Sequence, residues 1–135
     1  MTEIEIKQAH DPIKRVHEGC CAALSGRSTL TYEIGKHGFE DTLHLRIVGN
    51  TGRGTWSKGW ISGRSIDDAV ANKDMLTGKG LHALQHGQSR NTGGFVLAAL
   101  RDLGLVRKRK AQFHEHVPQS TFKSVCHKTL EEKDQ

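Results

Sequence analysis

The sequence predicts a small α+β protein, in which a three-stranded antiparallel meander packs on an N-terminal helix and leads into a helical hairpin with a basic, wing-like strand. Two stretches in the first half of the chain alternate apolar and polar residues, as half-buried antiparallel strands do. Other stretches carry apolar residues at helical spacing, and glycine-rich segments separate the two patterns. These three observations set the fold class.

The size of the chain predicts one domain. Its 135 residues can bury a core without disulfides, and 35% hydrophobic residues with 15 glycines indicate a modest core with many turns. We expect residues 1–118 to form a single α+β domain and residues 119–135 to form a partly disordered C-terminal extension that holds a short helix. The formal net charge of +5 favours an acidic partner such as a polyanion.

The first predicted element is the N-terminal helix. Asp11 is a favoured cap and Pro12 is favoured in the first turn of a helix. Apolar residues then follow at spacings that would place them on one helix face: Ile13, Val16, Cys20, Ala23 and Leu24. Gly26 would end the helix in a left-handed conformation. We expect this helix to cover one face of the meander.

The meander is predicted from three segments. The first two alternate with a period of two, and their apolar positions are Leu30, Tyr32, Ile34, Leu43, Leu45 and Ile47. The third strand is predicted over residues 55–62, with Trp56, Lys58 and Trp60 on one side. Glycine-rich turns separate the three segments, so neighbouring strands are expected to be antiparallel.

Helical and strand patterns fill the second half of the chain. Ser65 followed three residues later by Asp68 resembles a capping box and predicts a helix that begins at Ser65. Residues 79–110 read as a short helix, a turn at Gly87, a longer helix, a stop at Gly104 and a basic run. The buried stripe of the longer helix would contain Phe95, Ala98, Ala99 and Leu103.

This central stretch resembles a helix-turn-helix that runs into the wing of a winged-helix DNA-binding domain. Ala83 followed four residues later by Gly87 is similar to the alanine and the turn glycine of that motif. The residues from Leu100 to Arg107, LRDLGLVR, are similar to the end of a recognition helix entering a wing. The resemblance covers about 35 residues.

The resemblance implies a small regulator that binds nucleic acid, in particular duplex DNA, through the start of the longer helix. The residues facing bases and phosphates would be Gln88, Ser89, Arg90, Asn91 and Thr92. Those lying on phosphates would be Arg107, Lys108, Arg109 and Lys110. A homodimer is compatible with this function, since dimers read two-fold DNA sites.

A second basic surface is expected around the glycine-rich turn at residues 49–54. Arg53 and Lys58 are the predicted nucleic-acid contacts of this surface. Trp56 and Trp60 would either stack bases from the sheet or, as paired tryptophans on a strand more often do, pack in the core.

Two alternatives stay open for these features. The basic run at residues 107–110 would also suit a strand edge that is protected from pairing by its charge. The protein would then be an interaction module or inhibitor that docks on a larger protein partner. Its anchors would be Trp56, Trp60 and Tyr32, since aromatic side chains are favoured at interfaces.

No motif in the sequence indicates an enzyme or a cofactor. The three cysteines, expected as reduced thiols, lack the flanking sequence of a nucleophile: Cys20, Cys21 and Cys126. His82, His86 and His114 are expected to be surface histidines, and a metal site formed by them is the alternative. The chain has no secretory pattern and no apolar run of about 20 residues, so we expect a cytoplasmic protein without a membrane partner.

Overall fold

The computed structural model describes residues 12–85 and 90–133 and confirms the α+β class. An antiparallel sheet of four strands comes first, in the order β1 (Ile13–Ala22), β2 (Thr29–His37), β3 (Leu43–Asn50) and β4 (Ile61–Ser62). The elements that follow are α1 (Gly63–Val70), a 3-10 helix (Lys79–Gln85), α2 (Arg90–Leu103), the hairpin strands β5 (Val106–Lys110) and β6 (Phe113–His116), and α3 (Phe122–Lys133).

The predicted N-terminal helix is wrong, because residues 13–22 form β1. This strand pairs with β2 along its length, with one irregularity at Val16. The spacing of its apolar residues fits a helix, but its partly buried residues alternate along most of the strand, and the pairing with β2 decides between the two. Gly19 lowers the helix propensity, and β2 requires a small residue there, since a Cβ would lie 2.5 Å from Cζ of Tyr32.

The predicted strands β2 and β3 are confirmed. Their six alternating apolar residues are at most 8% exposed: Leu30, Tyr32, Ile34, Leu43, Leu45 and Ile47. All but Leu30 belong to the main core, and Leu30 packs with Ala23 and Ala98. The third predicted strand, residues 55–62, is largely wrong, because only Ile61 and Ser62 pair with β3. The residues before Ile61 belong to a loop instead, in which the Thr55 carbonyl and the Ser57 N–H bond to side chains of α2.

The outer face of the sheet carries a buried carboxylate between two arginines. Glu33 is only 6% exposed. Arg15 Nη1 donates to its Oε2 at 3.2 Å, and Arg46 Nε donates to its Oε1 at 2.8 Å. The guanidinium of Arg46 also lies 4.1 Å from the centroid of the Trp60 ring. The ion pairs compensate for the burial of the charge and join β1, β2 and β3.

Helix α2 lies at the centre of the fold. On one side Ala98 packs with Ala23 and Leu30 of the sheet region. The Tyr32 hydroxyl donates to Oδ2 of Asp102 at 2.7 Å and ties β2 to the last turn of the helix. Apolar residues of the other helices pack on its remaining sides. The helix therefore connects the sheet with the second half of the chain.

The burial of α2 is wider than the predicted stripe. Its buried apolar residues lie around most of the helix circumference and are Val96, Leu97, Ala98, Ala99, Leu100 and Leu103. Phe95, predicted to be buried, is partly exposed. Gly104 ends the helix at φ +93°, as predicted.

The two flanking helices complete the core. Ser62 caps α1, not the predicted Ser65, and its Oγ accepts a hydrogen bond from Ser65 N at 3.1 Å. The helix predicted in the C-terminal extension is present as α3. It buries three residues in the same core as the sheet and α2: Phe122, Val125 and Cys126. The backbone N–H of Phe122 donates to Oδ1 of Asp67 at 2.8 Å and links α3 to α1.

Candidate nucleic-acid interface

The hairpin of β5 and β6 presents the basic run. All four of its consecutive cations are exposed: Arg107, Lys108, Arg109 and Lys110. The two strands pair antiparallel, and a register shift between Lys108 and Lys110 marks a bulge at Arg109. Four adjacent cations on a two-stranded ribbon create a positive potential that suits a phosphate backbone.

Two of these four cations already have carboxylate partners. Arg107 Nε donates to Oε1 of Glu115 at 2.8 Å, and Arg109 Nη1 lies 3.0 Å from Oδ2 of Asp74. The two arginine side chains are 56% and 48% exposed, and exposed pairs contribute only about 0–1 kcal/mol to stability. The two lysines of β5 form no ion pair within the described residues. They are therefore the cations most available to an external anion.

The hairpin is fixed to the body of the protein at its base. Leu76 and His114 exchange two backbone hydrogen bonds of 2.8 and 2.9 Å, so that Leu76 adds a short bridge beside β6. The N–H of Val117 donates to the carbonyl of Leu105 at 2.9 Å, and Leu105 and Val106 are buried. Because the ribbon is already ordered at its base, it loses little conformational entropy when it binds a ligand.

Of the residues predicted to face bases, Asn91 and Thr92 are described in the first turn of α2. Two others, and the side chain of a third, lie outside the described residues: Gln88, Ser89 and Arg90. Asn91 Nδ2 donates to the carbonyl of Thr55 at 2.9 Å, and Thr92 Oγ1 accepts from the N–H of Ser57 at 2.9 Å. A Cβ at Gly54 would collide with Nδ2 of Asn91. These two side chains therefore hold the loop before β4 against the helix.

Other parts of the protein cover the described faces of α2 that could contact nucleic acid. A helix that reads a major groove needs one broad face free of the rest of the protein. In the described part of the chain, the sheet covers the face with Ala98, and the loop before β4 covers the first turn. Phe95, near that turn, lies edge-on to Trp56 with ring centroids 5.9 Å apart. The hairpin, not the described surface of α2, is the element that projects its charges into solvent.

The two remaining predicted contacts lie in the loop between β3 and β4. Lys58 Nζ lies 5.1 Å from the centroid of the Trp56 ring, in a cation–π contact. Arg53 is exposed in a turn organised by Asn50, whose Nδ2 donates to the carbonyl of Arg53 at 3.3 Å. The structure brings Arg53 to the same cleft as Asn91, whereas the basic run belongs to a separate element.

This cleft opens between the β1–β2 turn, the β3–β4 loop and the start of α2. Its volume is about 820 Å³, within the range of small-molecule sites. The cations Arg53 and Lys79 line it together with the polar side chains of Ser28, Asn50 and Asn91. Lys79 was not among the predicted site residues. No local motif marks it, because the cleft joins segments that are distant in sequence.

The aromatic anchors of the interaction hypothesis all take part in the fold. Tyr32 is buried, Trp56 is partly buried against the core, and Trp60 is partly buried on the outer face of the sheet. Other large apolar side chains are exposed instead, and the two most exposed are Phe39 at 85% and Met75 at 62%. The interaction hypothesis stays a prediction, and it would need anchors other than those proposed from the sequence.

Two of the three thiols are poorly suited to act as nucleophiles. Burial raises the pKa of the Cys21 thiol to about 11 and that of Cys126 to about 12, so both are protonated and weakly nucleophilic near neutral pH. Within residues 12–85 and 90–133, no three or more His, Cys, Asp or Glu side chains are grouped to hold a metal ion. His86 and the side chain of His82 lie outside the described residues.

Among the described helices, none has both the length and the apolar character that crossing a bilayer requires. The resemblance of residues 79–110 to a winged-helix domain stays a prediction from the sequence. The chain matches no protein-family model, no curated protein and no solved structure.

Proposed function

We propose that the protein binds duplex DNA through the β5–β6 hairpin. The observation that carries this proposal is the exposure of four consecutive cations on a ribbon whose base is hydrogen-bonded to the body of the protein. Phosphate contacts by lysine and arginine supply a large share of the affinity of DNA-binding proteins. A fixed basic ribbon of this kind is suited to making such contacts.

The order of the elements supports the proposal. The 3-10 helix, α2 and the hairpin follow one another as the two helices and the wing do in a winged-helix domain. In the proposed complex, α2 anchors the hairpin through the buried Leu105 and Val106, and the hairpin carries the phosphate contacts. Contacts to phosphates position a protein on a duplex but carry no direct sequence information. We therefore propose binding that depends only weakly on base sequence.

A salt titration tests the proposal directly. Fluorescence anisotropy of a labelled duplex would measure the dissociation constant at several salt concentrations. If all four hairpin cations contact phosphates, the slope of log K against log salt is about −3.6, and affinity falls roughly 100-fold between about 50 and 200 mM salt. A flat salt dependence, or no binding at the lowest salt, contradicts the proposal.

A pair of matched double variants separates the hairpin from the net charge of the protein. In Lys108→Glu/Lys110→Glu, we expect affinity to fall more than about tenfold, because two phosphate contacts become repulsive. The control, Lys123→Glu/Lys128→Glu, makes the same charge change at exposed positions of α3. Equal losses in the two variants would mean that net charge, and not the hairpin, governs binding.

A further inference from the structure

The cleft at the start of α2 has features of a ligand site that the hairpin does not explain. Its walls come from the β1–β2 turn, the β3–β4 loop and the residues around Gly78 and Gly94. The backbones of these two glycines are in contact, since a Cβ on Gly78 would lie 2.8 Å from Cα of Gly94. A side chain at Gly78 would therefore collide with α2, whereas a Cβ on Gly94 would lie 3.9 Å from Cδ1 of Leu24. It is Gly94 that keeps the cleft open beside Leu24.

The charge of the cleft selects an anion. Arg53 and Lys79 line it, and neither forms an ion pair within the described residues. No carboxylate belongs to its described lining. A second cleft of about 590 Å³ near α1 shows the opposite character, because its lining includes four carboxylates: Glu40, Asp41, Asp67 and Asp68. The two unpaired cations therefore distinguish the cleft at α2 as a place for a phosphate group.

The apolar part of the same cleft is suited to an aromatic ring. Phe95 and Leu24 line it, and Leu24 is 38% exposed although it is a large apolar residue. The Trp56 ring, 5.9 Å from that of Phe95, supports the phenyl group from one side. A base that packed against Phe95 and Leu24 would remove apolar surface from water while its phosphate stayed near the cations.

We propose that this cleft binds a free nucleoside monophosphate, with the phosphate on Arg53 and Lys79 and the base against Phe95. Its volume of about 820 Å³ is sufficient for a ligand of that size. Ser28 and Asn50 offer polar groups for the sugar between these two ends. The site is separate from the hairpin, so the proposal does not depend on DNA binding.

Titration with 5′-AMP tests the proposal, with adenosine and inorganic phosphate as partial ligands. Calorimetry should show AMP binding at least about tenfold more tightly than either partial ligand, because only AMP engages both parts of the cleft. In the NMR spectrum of the wild-type protein, the largest amide shifts should include Ser28, Gly78 and Gly94. AMP that binds no better than phosphate, or shifts that centre elsewhere, would overturn the proposal.

Single variants test which residues bind the phosphate of the ligand and which bind its base. Arg53→Gln and Lys79→Gln should each weaken AMP binding about tenfold, and Phe95→Leu should weaken AMP and adenosine but not phosphate. Matched controls are Arg64→Gln and Lys128→Gln, which remove exposed cations outside the cleft and should change nothing. Both cleft cations are exposed, so melting temperatures should stay near that of the wild type. AMP affinity that is unchanged in both cleft variants refutes the site.

A last arm distinguishes a free nucleotide from the end of a nucleic-acid strand, which carries the same chemistry. A 5′-phosphorylated single-stranded oligonucleotide is titrated alongside AMP, with Arg53→Gln in parallel. AMP binding that is lost in the variant supports the free nucleotide. Oligonucleotide binding through Arg53 without AMP binding would overturn it. The hairpin variant Lys108→Glu/Lys110→Glu should keep full AMP affinity, so failure of DNA binding and failure of this proposal can be told apart.

Discussion

Helix α2 and the β5–β6 hairpin are neighbours in the chain but lie in opposite environments. Six apolar residues of the helix are buried around its circumference, and its Asn91 and Thr92 side chains are bonded to the loop before β4. Every residue of β5 after Val106 is charged and exposed. A recognition helix followed by a wing would share the contacts with DNA, whereas here the helix is occupied with holding the protein together. We infer from this difference that α2 stabilises the fold and that the hairpin makes the proposed contacts with DNA.

The largest effect on stability is expected from a cavity in the core around α2. Leu100→Ala should lower the free energy of unfolding by about 2–5 kcal/mol, because Leu100 is fully buried and its truncation leaves a cavity. Urea denaturation measures this loss, and Lys108→Ala in the hairpin should change stability by less than about 0.5 kcal/mol. Leu100→Ala protein that is still folded should bind duplex with wild-type affinity. A loss below about 1 kcal/mol would mean that α2 is not the structural centre.

A smaller change tests the first turn of the helix. Thr92→Val keeps the shape of the side chain but removes the acceptor for Ser57 N–H, and we expect a loss of about 1 kcal/mol. The control is Thr29→Val, at an exposed position whose side chain makes no hydrogen bond within the described residues, and it should cost less than about 0.5 kcal/mol. Duplex affinity should be unchanged in both. If Thr92→Val instead weakens binding at unchanged stability, the first turn of α2 contacts nucleic acid.

The contact between helix and hairpin predicts a pH dependence. Burial, with Arg101 of α2 and Lys108 of β5 adding to it, holds the pKa of His114 below its ordinary value of 6.5. As the pH falls through 6.5, the unfolded chain takes up a proton that the folded protein does not, so stability decreases until the folded-state pKa is passed. Thermal melting from pH 8 to pH 5 should show a smaller decrease in His114→Leu than in the wild type. Parallel curves would place the acid sensitivity elsewhere.

The smallest effect is expected at the rim of the hairpin. Glu115→Gln removes the carboxylate partner of Arg107, and stability should change by less than about 1 kcal/mol because the pair is largely exposed. Duplex affinity should rise a few-fold at low salt, since Arg107 is released and a negative charge is removed from the ribbon. Anisotropy measures the change. Unaltered or weaker affinity would favour the alternative that the basic run only protects a strand edge.

The parts of the fold that alternate strictly could be predicted from the sequence. The period of two in β2 and β3 arises because each strand has one face toward the core and one outer face. The apolar residues of both strands are buried, as predicted. β1 was missed because its apolar residues are compatible with a helix as well, and only pairing with β2 makes the choice. The loop before β4 was missed because its shape depends on contacts with α2, which lies far along the chain.

The candidate sites differ in how far the sequence could reveal them. The basic run could be recognised because its four residues are consecutive, and the strand that they form was predicted. The wide burial of α2 could have been inferred from residues 95–100, FVLAAL, since an unbroken apolar run indicates burial on several sides. The cleft could not be foreseen. Arg53 and Lys79 are 26 positions apart, and only the folded arrangement of four segments brings them together.

The packing of Ala98 against Ala23 and Leu30 has a consequence for how the protein can be divided. A fragment that began at α1 would keep all three α-helices and the hairpin but would leave one side of α2 open to water. It would also lack Tyr32, the hydrogen-bond partner of Asp102. Such a fragment should aggregate or remain unfolded. The basic hairpin therefore cannot be transplanted with its helices alone, because the N-terminal sheet belongs to its support.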